Sequence, residues 1–105
     1  MVLITAVSAY GILHPRIIKN NQYEIRIEKE CKSREALTVV LIADLHVGYS
    51  IDELHVKQMV RKINRQNPDL VLFAGDFYDN DYEAIRNPEK VARCVQQIKS
   101  RYGVY

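Results

Sequence analysis

Two apolar runs, each ending abruptly in an acid, limit what this chain can fold into more than anything else in it. Residues 37–48 read LTVVLIADLHVG and residues 69–76 read DLVLFAGD. Residues 39–42 and 70–73 are apolar on both faces, the pattern of strands covered on both sides in a parallel sheet. Between the runs, Val56, Met59, Val60 and Ile63 recur at i, i+3, i+4 and i+7, one apolar stripe of a crossover helix. Ser50-Ile-Asp-Glu53 reads as a capping box at the start of that helix, and Asn67-Pro68 as its stop. A second helix is announced by Asn87-Pro88-Glu89 and carries the stripe Val91, Cys94, Val95, Ile98, with Gly103 suited to its C-terminus. Val104 and Tyr105 read as the opening of a third strand. The order strand, helix, strand, helix, strand defines an α/β fold with a parallel core, in which crossovers are right-handed.

The N-terminal third is different. Residues 22–29 alternate Tyr23, Ile25 and Ile27 with Glu24, Arg26 and Glu28, the mark of an edge or antiparallel strand with one wet face. Residues 31–36 are polar and read as a connection into the first apolar run. Residues 1–13 carry no charge, yet a membrane span needs about 20 apolar residues. They also lack the basic n-region and the cleavage site of a secretory signal. Two readings stay open: a helix or strand packed on the domain, or the remnant of a membrane anchor. His14-Pro15 ends the segment in either case. The expected division is therefore an apolar segment and linker over 1–21 and the α/β part over 22–105.

At 105 residues the chain allows one domain, and 48% hydrophobic with 27% charged residues is an ordinary soluble composition. The net charge of +2, with basic residues scattered over the helices, indicates no nucleic-acid partner. Cys31 and Cys94 form no metal or redox spacing.

Ligands of open α/β sheets bind beyond the carboxyl ends of the strands, where Asp44, His46 and Asp76 all fall. On an extended chain Asp44 and His46, two apart, would project to the same side. Two carboxylates about 4 Å apart repel by about 1 kcal/mol in water and about 4 kcal/mol at an effective dielectric of 20, so a positive charge belongs there. Two oxygens and an imidazole nitrogen suit Mn²⁺, Zn²⁺ or Fe²⁺ better than Ca²⁺. His14 reads as a loop residue and His55 as a partly exposed helical histidine. Residues 79–83 (DNDYE) are not a calcium loop, because Ala84 and Lys90 stand where such a loop needs Gly and Glu.

Asp44-Leu-His46 and Gly75-Asp76-Phe-Tyr-Asp79, on consecutive strand ends with Pro68-Asp69 leading into the second, resemble the first two motif blocks of the calcineurin-like metallophosphoesterases. The likeness covers residues 37–105; residues 10–23 resemble the link between a membrane anchor and the catalytic domain in one bacterial branch of that family. The resemblance implies an incomplete metallophosphoesterase-like sandwich, the parallel strand-helix-strand-helix-strand core with an N-terminal edge strand. It implies a hydrolase of phosphate mono- or diesters that uses a hydroxide activated by two divalent ions (Mn, Zn or Fe). Asp44 and His46 would hold one ion, Asp76 would bridge both, and Asp79 would orient the loop without binding metal. The family's later blocks, Gly-Asn-His and further histidines, do not occur before Tyr105. The expectation is therefore an active, membrane-associated full-length phosphoesterase, or a cytoplasmic one if the anchor reading fails. The 105-residue chain itself is expected to be inactive and, with apolar strands incompletely covered, to self-associate. The alternative is a non-enzymatic fragment or small α/β binding module with one vestigial metal site.

Overall fold

The computed structural model describes residues 1–14, 17–28, 36–48, 51–79 and 85–105 of the chain, which divide into two compact units, Met1–Glu35 and Ala36–Tyr105. In the first unit the uncharged segment forms helix α1, Val2–Leu13, none of whose residues is buried. Its Thr5 hydroxyl turns back onto the carbonyls of Met1 (2.9 Å) and Val2 (3.0 Å), which satisfies that polar group within the helix. The helix stops at the foreseen place, but His14 at its C-cap keeps helical dihedrals (φ −61°, ψ −43°) despite the proline after it. The edge strand read over residues 22–29 is not formed: residues 22–28 belong to no strand, and Tyr23, Ile25 and Ile27 are about four-fifths exposed. Alternation selects a face only when a neighbouring strand is there to pair with, and no strand pairing includes residues 22–28. The connection read at 31–36 lies, up to residue 35, outside the described residues.

In the second unit the parallel core is as the two apolar runs require. Strand β1, Val39–Ala43, pairs in parallel with β2, Leu70–Ala74, in the register Val39 to Leu70 through Ala43 to Ala74. Val104 bridges Val71 in parallel on the other edge of β2, with Tyr105 N–H donating to Val71 O (3.0 Å) and Phe73 N–H to Tyr105 O (2.7 Å). The third strand thus opens where Val104 predicted it.

Helix α2, Glu53–Arg65, lies between the strands, and its stripe of Val56, Met59, Val60 and Ile63 is buried as its spacing demands. Its cap differs from the reading at Ser50, which lies outside the described residues. Asp52 is the N-cap, accepting from His55 N–H (3.1 Å), and His55 reciprocates as the third helical residue, with its Nδ1 facing the Asp52 amide at 3.4 Å. A histidine can stand at this position because its ring nitrogen has two roles open to it: unprotonated it accepts from the cap residue's amide, and protonated it donates to the cap carboxylate. At the far end Asn67 takes φ +47°, the left-handed C′ conformation that asparagine tolerates.

Helix α3, Pro88–Val95, starts at the Asn87-Pro88 signal but stops eight residues before Gly103. The side-chain amide of Asn64 on α2 replaces its continuation: Nδ2 donates to Gln97 O (2.9 Å) and Oδ1 accepts from Lys99 N–H (2.8 Å). Ile98 still joins the core, together with Val91 and Cys94.

Because the sheet advances in one direction, β1 to β2 to Val104, two right-handed crossovers put both helices on one face, where α2 and α3 pack together. In the observed register Val40, Val71, Ile42 and Phe73 share that face, and Val71 is fully buried. On the opposite face Val39 and Leu41 are exposed, Leu41 by 64%, and Leu70 and Leu72 are half-buried.

Candidate functional site

Two loops leave the carboxyl ends of β1 and β2 side by side: residues 44–48 and residues 75–79. The parallel ladder does not end with the strands. Asp44 N–H donates to Ala74 O (2.9 Å), His46 N–H to Asp76 O (3.1 Å), Val47 N–H to Phe77 O (2.9 Å) and Asp79 N–H to Val47 O (3.0 Å). Val47, only 1% exposed, is the peg on which this double loop is fixed; it also bridges Ile51 and Tyr78. Phe77 stacks edge-on against Phe73 (5.3 Å) and Tyr78 (4.8 Å), which steadies the second loop from its other side.

The backbone here is unusual. Asp44 (φ +47°) and His46 (φ +45°) both sit in the left-handed region, at a cost of about 1–3 kcal/mol each, while Gly75 takes a positive φ (+76°) without that cost. Asp and His are among the few side chains that enter this region at all. Strand alternation therefore does not set the sides of Asp44 and His46, as their spacing of two suggested: β1 ends at Ala43, and the turn geometry directs both side chains.

The loops bring Asp44 and Asp76 together through the backbone, Asp44 Oδ1 accepting from Asp76 N–H at 3.3 Å. His46 joins Asp76 through its amide. Among the described residues no group of three or more His, Cys, Asp or Glu side chains stands close enough to hold a metal ion. The set nonetheless suits a borderline divalent ion in its chemistry, two carboxylates and an imidazole on adjacent loops. The Asp44 carboxylate also lies over Gly75, in space that a Cβ there would fill. Asp79 stands at the far end of the second loop, its side chain against Gly48; residues 80–84, with the acidic Asp81 and Glu83, lie outside the described residues.

His55 is set apart from these loops by its role in the α2 cap, its Nδ1 lying 2.6 Å from Asp52 Oδ1 with a side chain only 11% exposed. Burial, the largest influence on the Asp52 carboxyl, pushes its pKa up. The His55 amide, ring and charge with the Leu54 amide outweigh it and hold the pKa below the ordinary carboxylate value. The sequence reading missed this pair, although Asp52 and His55 stand at the N-cap and N3 spacing, and it missed the positive φ angles, for which loop-end Asp and His are the available signal.

The family model for calcineurin-like phosphoesterases matches residues 37–102, the stretch that contains both strands and both loops. The chain belongs to the calcineurin-like phosphoesterases. Among curated proteins it is 32% identical over 108 residues to a transmembrane protein with metallophosphoesterase domain from Danio rerio, an alignment covering 98% of this chain and 23% of that protein. The protein of the same name from Bos taurus is 25% identical over 100% of this chain and 23% of its own length. A UDP-2,3-diacylglucosamine pyrophosphatase from Chlamydia muridarum is 32% identical over 62% of this chain and 20% of that protein. The chain thus spans about a quarter of the length of these relatives. No solved structure gives a significant match.

Proposed function

We propose that this chain supplies the first metal-binding loops of a divalent-metal-dependent phosphoesterase acting on phosphate mono- or diesters, and that the 105 residues alone do not turn over substrate. The observation that carries the reading is the pairing of the loops at adjacent strand ends, with Asp76 linked by its amide to the Asp44 carboxylate and by its carbonyl to His46. Asp44 and His46 would hold one ion (Mn²⁺, Zn²⁺ or Fe²⁺) and Asp76 would bridge to a second. When bound, such ions acidify water to a pKa near 7, so that a nucleophile exists at neutral pH. The protein's part is to hold the carboxylates at a fixed separation and to keep the imidazole beside them; Asp79 holds the two loops together. Three donors are fewer than two ions require, which is why the chain alone is expected to be inactive. The pyrophosphatase named among the relatives supports a substrate with a phosphoester or phosphoanhydride bond. In the full-length protein, His46→Ala should remove most hydrolysis of an aryl phosphodiester in the presence of Mn²⁺; wild-type turnover in that variant would place the chemistry elsewhere.

Association with a membrane through α1 belongs to the same reading. No helix among the described residues is long and apolar enough to cross a bilayer, since the 12 residues of α1 span about 18 Å against a hydrocarbon core of about 30 Å. Yet α1 is uncharged, has no buried residue, and aligns with proteins named as transmembrane. The chain should float with phosphatidylcholine vesicles and lose that association in Val7→Lys. Flotation unchanged by the new charge would remove α1 from the account.

A further inference from the structure

The two loops hold each other through a reciprocal pair of glycines. A Cβ at Gly75, in the second loop, would lie 2.9 Å from Cγ of Asp44 in the first, with the Asp44 Oδ1 nearer still. A Cβ at Gly48, in the first loop, would lie 2.9 Å from Cβ and 3.3 Å from Oδ2 of Asp79 in the second. Each loop thus offers the other a bare backbone on which a carboxylate-bearing side chain rests. The two glycines differ in one informative way. Gly75 has φ +76°, so a side chain there would meet backbone strain as well as the Asp44 carboxylate, whereas Gly48 lacks a positive φ of that kind and only space forbids a side chain.

We propose that Gly75 and Gly48 are positioning residues that set where the Asp44 and Asp79 carboxylates stand, an inference that rests on the metal-site reading of Asp44. Gly75 lets the Asp44 carboxylate lie flat against the second loop, where Asp76 N–H holds its Oδ1. A methyl group at 75 displaces that carboxylate, breaks the hydrogen bond and moves one donor away from its partner. A methyl group at 48 displaces Asp79 and opens the junction that the Asp79 amide makes with Val47 O.

The test is a pair of double-variant cycles on the full chain, read by urea unfolding without metal and by Mn²⁺ calorimetry. Gly75→Ala should lower the urea midpoint, and the loss should be clearly smaller in an Asp44→Ala background, which removes Cγ and the carboxylate oxygens but leaves the φ strain in place. Gly48→Ala should likewise be relieved by Asp79→Gly, which removes the Cβ it would strike. Equal losses in both backgrounds would overturn the inference, since φ strain or general crowding would then explain the glycines. If Gly75→Ala does not fold, the Asp44→Ala double variant should restore folding, and failure to do so also overturns it. In calorimetry Gly75→Ala should weaken Mn²⁺ binding at least tenfold; unchanged affinity would show that the seat does not position a ligand. If the wild-type chain binds no Mn²⁺, the metal-site reading fails, while the unfolding cycles still decide whether the glycines position the carboxylates.

Discussion

Replacing Asn64 by Ala tests whether one side-chain amide ends α3 and ties it to α2. Its Nδ2 and Oδ1 satisfy Gln97 O and Lys99 N–H, two backbone groups that the interrupted helix leaves without helical partners. A hydrogen bond within a protein is worth about 0.5–1.5 kcal/mol net, so losing both costs about 1–3 kcal/mol. Gln97 and Lys99 are exposed and can be rehydrated, which puts the expected loss near the lower end, about 1–2 kcal/mol. For a domain of this size that corresponds to a fall in Tm of about 4–8 °C per kcal/mol. Asn64→Asp is the sharper variant, because it keeps the acceptor for Lys99 but turns a carboxylate oxygen toward the Gln97 carbonyl. Urea unfolding followed by circular dichroism should show both variants destabilised with an unchanged slope, and Asp should not recover half the loss. A change under about 0.5 kcal/mol in Asn64→Ala would show instead that α3 ends for reasons intrinsic to its own sequence.

Two further outcomes are expected. Asp52→Ala should cost about 1 kcal/mol at pH 7 through loss of the cap. Because the folded pKa of Asp52 is depressed, its contribution is complete above the unfolded value of about 3.9 and is lost as pH falls through the folded value. The gap between wild type and variant should therefore shrink between pH 5 and 3, modestly, since Asp52 is more than half exposed and screened; an equal gap at both pH values would contradict the cap's ionic character. The open sheet face bearing Val39 and Leu41 should make the chain self-associate, and Leu41→Lys should lower the mass seen by light scattering; a monomer in both would remove that face from consideration.

The parallel core could be read from the sequence because both apolar runs are bounded by unmistakable stops and joined by a helix whose stripe admits one orientation. Val56, Met59, Val60 and Ile63 were legible for that reason. The edge strand failed because the alternation of Tyr23, Ile25 and Ile27 states only which residues could share a face. It says nothing about whether a neighbouring strand exists. The length of α3 failed for a tertiary reason, since the amide that takes over from the helix sits on α2, 33 residues upstream of Gln97. At the site, position was legible and geometry was not. An acid at a strand end announces a loop, but the left-handed turns at Asp44 and His46 and the glycine seats at 48 and 75 arise from how the two loops pack.

If the paired loops carry metal ligands, isothermal calorimetry of Mn²⁺ into the wild-type chain and into Asp76→Asn will tell the two proteins apart. Asp76→Asn keeps the backbone amide and carbonyl that pair the loops, so it removes one charged donor and little else. Weak saturable binding is expected for the wild type, with affinity lower by tenfold or more in the variant. Equal binding by both, or none by either, would rule out metal ligation through Asp76.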